Sequence, residues 1–116
     1  MNRSERTWYW AERLKSFRLA MNWSIDQMAR EMAITSRELN DIELHLKPMR
    51  FGYLGGMNRR FPTLKTWVFT GAVSRKCSAS MFQLMLRTQK NFNEAHEPPS
   101  LASLSSWENQ ITVGGI

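Results

Sequence analysis

Apolar residues recur at helical spacing through the first half of the chain. Trp10, Leu14, Phe17 and Met21 step by four, three and four, which lines one face of a helix. The spacing predicts a first helix from near Ser4 to about Met21. Trp8 and Tyr9 flank that stripe and read as packing residues, under the domain or at a dimer contact. A stacking platform for single-stranded nucleic acid would need basic residues interleaved there. Asn22 suits the end of the helix, because Asn tolerates the left-handed conformation. Trp23 can then pack onto the next helix as a hydrophobic staple. Met28, Ala29, Met32 and Ile34, followed by Leu39 and Ile42, form one apolar seam shared by two short segments.

Each short segment carries its own start signal. Ser24 precedes Gln27 by three residues, and Thr35 precedes Glu38 by three. Both are capping boxes, in which a hydroxyl accepts from the third backbone N–H and the long side chain reaches back to the cap. Helices are predicted over about 25–32 and 36–46, with Pro48 ending the second. Two amphipathic helices on a tight turn can present the second one outward, with dimensions that fit the major groove of B-DNA.

The next stretch runs Met49-Arg-Phe-Gly-Tyr-Leu-Gly-Gly-Met-Asn-Arg-Arg-Phe61. Gly52, Gly55 and Gly56 argue against a stable helix across it, so it reads as a long loop. Starting the next helix at Lys47-Pro48 would bury those glycines inside it and is disfavoured. Thr63 is predicted to cap a helix with Leu64, Trp67 and Val68 inward and Gly71 near its end. A further helix is predicted over about 78–92, capped by Ser78 or Ser80, with Met81, Leu84 and Met85 as a core or dimer face. From Asn93 the composition shifts. His96-Glu-Pro-Pro-Ser100 reads as a break, Leu101–Ser106 as a serine-rich arm, and Gln110–Val113 as a short strand or disorder. No internal repeat occurs.

The stretch from Arg13 to Glu43 resembles the helix-turn-helix of Cro/cI-type phage repressors, the XRE class. Ser24, Met28-Ala29, Met32, Ile34-Thr35, Leu39 and Ile42-Glu43 fall on that family's patterned positions, and the match extends loosely to about residue 74. Arg18 and Glu43 fall where many phage repressors join the first helix to the end of the third. The resemblance implies an all-α, lambda-repressor-like domain of four to five helices at 1–74. Residues 75–116 would add a helix and a poorly defined arm, used for dimerisation. It also implies base contacts from Ser36, Arg37, Asn40 and Asp41. Arg37 can fork onto guanine O6 and N7, Asn40 can pair with adenine, and Asp41 can accept from cytosine. Asp41 pairing locally with Arg37, one turn away, is an equal alternative.

Thr35 and the start of the second helix are expected to approach phosphate. Two positions depart from the family. Ile25 stands where a Gln usually clamps phosphate, leaving Gln27 as the nearest substitute. His45 stands where Gly usually ends the recognition helix, which allows a further turn. Lys47, Arg50, Arg59 and Arg60 offer replacement backbone contacts, with no acid between Lys47 and Arg60.

Charge supports that picture. Sixteen Lys and Arg against ten Asp and Glu give +6. The excess lies entirely in residues 1–76, with fourteen basic and seven acidic residues. A basic region of this kind suits nucleic acid. The single cysteine, Cys77, excludes an internal disulfide. No apolar run approaches a membrane span, and the charged N-terminus lacks a secretory core, so a cytoplasmic protein is expected. No cofactor is implied. His45, His96 and Cys77 are too scattered for zinc, and no motif pairs a nucleophile with a base or forms a phosphate loop, so an enzyme is not expected. The sequence thus points to a DNA-binding transcriptional regulator acting as a repressor — a homodimer on double-stranded DNA, of phage or mobile-element type. The rival reading is a protein-interaction module, an antitoxin or host-protein inhibitor on the same scaffold. RNA binding through the basic loop is a third.

Overall fold

The computed structural model describes residues 2–96, and every regular element among them is helical. They are α1 (Arg3–Ala20), α2 (Ile25–Met32), α3 (Ser36–Glu43), a 3-10 helix (Phe51–Met57), α4 (Leu64–Thr70) and α5 (Ala79–His96). The predicted arm at 101–106 and strand at 110–113 lie outside the described residues.

Local chemistry sets most of the ends. The Asn2 side chain caps α1 by accepting from the Glu5 N–H at 2.8 Å. Ser24 and Gln27 form both halves of a capping box on α2, and Thr35 accepts from the Glu38 N–H at 3.1 Å to open α3. Three helices close through a left-handed residue other than glycine: Asn22 (φ 56°), Ala33 (φ 57°) and His45 (φ 62°). After α3, the Leu46 N–H reaches the Asp41 carbonyl and the His45 N–H reaches the Ile42 carbonyl. That is the Schellman arrangement. α3 therefore stops at Glu43, and the extra turn allowed by His45 does not form.

One core unites the elements. Leu14 and Phe17 of α1, Met28 and Met32 of α2, Leu39 and Ile42 of α3, and Leu64, Trp67 and Val68 of α4 are all buried together. Met81, Met85 and Phe92 of α5 join the same cluster, so the α5 stripe is consumed within the monomer. The glycine-rich segment, read as a loop, is a 3-10 helix instead. Its Leu54 and Met57 are three apart, the period at which 3-10 side chains eclipse, and both are buried in that core. Burial of these two side chains outweighs the poor propensity of the glycines.

Thr63 is a second departure. It occupies the cap position of α4 but lies at φ 76° and makes no capping bond. Its buried hydroxyl has no hydrogen-bond partner. α4 then ends on Gly71 at φ 79°, where an added Cβ would lie 3.0 Å from the Arg13 guanidinium. That guanidinium donates to the Val68 carbonyl at 2.9 Å, tying α1 to α4. No helix among the described residues is long and apolar enough to cross a membrane.

Candidate nucleic-acid interface

The seam between α2 and α3 is sealed on one side only. Leu39 and Ile42 of α3 are fully buried, while Arg37 and Asn40 on the opposite face are exposed. Among the described residues Arg37 has no ion-pair partner, so the local pair with Asp41 is not formed. Asp41 is half-buried, and its carbonyl receives the N–H groups of Leu46 and Lys47. The Ser36 hydroxyl donates to Asp26 at 2.6 Å. Of the four expected base-reading residues, Arg37 and Asn40 project most freely, and Ser36 is already engaged.

α3 is held by an ion pair. The Arg18 guanidinium meets both Glu43 carboxylate oxygens, at 2.7 and 2.8 Å, and its third donor reaches the Trp23 carbonyl at 2.9 Å. The two side chains are only 13% and 6% exposed. This bidentate fork fixes the end of α3 against both α1 and the turn that opens α2.

The expected backbone-contact residues divide into separate groups. Gln27 and Arg60 share a depression of about 370 Å³ beside α2 with Arg30, a cation that no motif singles out. Arg60 is paired with Glu31 at 2.6 Å and lies over the Trp23 and Phe61 rings. The Gln27 side-chain oxygen is taken by the capping box, and the Thr35 hydroxyl by the Glu38 N–H. Lys47 lies 3.5 Å from Glu38. Its pKa is raised above the ordinary value, by a Tyr53 hydrogen bond foremost and then by Glu38. The absence of acids between Lys47 and Arg60 is thus made good by Glu38 of α3 and Glu31 of α2. Arg50 and Arg59 are exposed and unpaired among the described residues. Arg50 lies with Arg3 and Arg6, two residues the sequence reading did not connect to it.

Behind α3, Glu12 gathers two histidines. His45 and His96 approach its two carboxylate oxygens at 2.8 and 3.1 Å. Trp8 stacks on the His45 ring at 5.5 Å and meets His96 edge-on at the same distance. Burial alone would raise the Glu12 pKa, but the hydrogen bonds and charge of the two histidines overcome it and hold the carboxyl below its ordinary value. These contacts anchor His45 in its left-handed conformation, and so fix where α3 ends. Trp8 packs here against the two imidazoles and stays 38% exposed. Comparison with family models, with curated proteins and with solved structures gave no match for this chain.

Proposed function

We propose that this protein is a sequence-specific DNA-binding transcriptional regulator of the lambda-repressor-like, Cro/cI type, acting in the cytoplasm as a repressor. The outward face of α3 carries the reading. Arg37 and Asn40 are exposed, and the helix bearing them is anchored by the Arg18–Glu43 fork. Arg37 forks onto guanine, at about 1–3 kcal/mol of discrimination. Asn40 addresses adenine, Asp41 and Ser36 border the contact, and Thr35, Gln27, Lys47, Arg50, Arg59 and Arg60 face the backbone. One short recognition helix covers few base pairs, so the operator is an inverted repeat bound by a homodimer, with half-sites about one helical turn apart. With the α5 stripe buried, Leu86, the exposed large apolar side chain of α5, is the candidate for the self-contact.

A second reading, an interaction module for another protein, draws on Leu44 and Leu46, which are 58% and 73% exposed directly after α3. Selection of bound sequences from random duplexes separates the two. An enriched inverted repeat that loses preference at one symmetric position in Arg37→Ala supports DNA reading. No enrichment, with activity lost in Leu46→Ser and kept in Arg37→Ala, favours a protein partner.

A further inference from the structure

A surface groove opens beside the N-terminal turns of α1. It holds about 440 Å³ between the first two turns of α1 and the irregular stretch 48–50 that leads into the 3-10 helix at Phe51. Arg3, Arg6 and Trp10 line it from α1, and Arg50 and Phe51 from the other side of the groove. No carboxylate lines it, and none of the three guanidinium groups has an ion-pair partner among the described residues. The Phe51 ring stacks on Phe69 at 4.0 Å, and Trp10 meets Phe69 edge-on at 4.8 Å, so Phe69 supports both aromatic side chains of the groove. The N–H groups at the start of α1 do not define the site, because Asn2 already caps them. The groove offers guanidinium and hydroxyl donors and positive charge with no carboxylate in its lining, which is the chemistry of an anion clamp.

Its position selects the anion. A second depression of about 340 Å³, lined by His45, Leu46 and Lys47, shares Ser4, Thr7 and Pro48 with the first. The two together follow the chain out of the C-terminal end of α3. A helix seated in the major groove has the sugar-phosphate backbone beyond its ends, and phosphate contacts there set register without reading sequence.

We propose that Arg3, Arg6 and Arg50 form a phosphodiester clamp that grips the duplex backbone beyond the C-terminal end of α3. The clamp rests on the DNA reading above but makes a separate, sequence-independent contribution. Each phosphate neutralised adds about −0.9 to the slope of log K against log salt. The test is that slope, measured by fluorescence anisotropy on a duplex of random sequence. It compares the full chain with an Arg3→Gln/Arg6→Gln variant and with an Arg75→Gln/Lys90→Gln control, whose residues line neither depression. The first pair is expected to flatten the slope by about 1.8, to weaken all sequences by the same factor and to leave the selected sequence unchanged. The control is expected to change it far less. An unchanged slope, or equal flattening by both pairs, overturns the clamp. A flattened slope in a protein that enriches no sequence would refute base reading by α3 while supporting the clamp.

Discussion

Replacing Arg18 with Met isolates what the buried fork contributes. The substitution leaves the aliphatic stem and removes three donors: two to Glu43 and one to the Trp23 carbonyl. Glu43 then keeps a carboxylate that is 6% exposed with no cation beside it. Removing one partner of a buried pair costs about 3–5 kcal/mol, mostly from the stranded charge. Glu43→Gln is milder, because the amide oxygen still accepts one bond and Arg18 retains Trp23. Losing one charge-assisted bond suggests about 1.5–3 kcal/mol. The double variant Arg18→Met/Glu43→Leu strands no charge, leaving only the Trp23 carbonyl without its donor, and should recover most of the loss. Urea denaturation followed by circular dichroism measures all three, and a domain of this size shifts in Tm by about 4–8 °C per kcal/mol. The reasoning fails if Arg18→Met costs under about 1 kcal/mol, the range of a solvent-screened surface pair. It fails equally if the double variant loses the sum of the two singles.

Three further outcomes follow from single sites. Thr63→Gly removes a left-handed β-branched residue and a buried hydroxyl without a partner, so it should stabilise the fold by about 1 kcal/mol or more; a lower urea midpoint would contradict this. Because the folded Glu12 pKa is depressed, its contribution is present above the ordinary carboxyl value and lost as pH falls through the folded one. The Tm advantage of wild type over Glu12→Gln should therefore hold at pH 6 and shrink below about 4.5, and an advantage that grows on acidification would reverse the sign. Trp67→Ala empties a fully buried site and strands the Gln89 oxygen that accepts from its indole, at about 3–5 kcal/mol, read from the same denaturation curves.

The parts of the fold that local chemistry decides were legible. α2 runs Ile25–Met32 as its capping box and apolar spacing require, and the α4 face of Leu64, Trp67 and Val68 follows from periodicity. The end of α3 was not legible. Nothing near His45 in sequence reveals that Glu12 and Trp8, more than thirty residues earlier, hold it in a conformation usually given to Gly. The 3-10 helix was hidden for a related reason. Glycine propensity argues against helix locally, but the seats for Leu54 and Met57 are supplied by other elements. In the candidate interface, solvent-facing cations such as Arg37 could be picked out from the helical face. The partners of Lys47 and Arg60, and the meeting of Arg50 with Arg3 and Arg6, come from chain segments far apart in sequence.

The central claim is that Arg37 reads a base edge from α3. Its most direct test is a double cycle on the selected duplex, in which guanine at the Arg37-dependent position is replaced by 7-deazaguanine. Wild type should lose about 1–3 kcal/mol of binding on the modified duplex, while Arg37→Ala, already lacking the fork, should be indifferent to the change. Equal losses for both proteins would show that Arg37 does not touch that base, and would contradict the account.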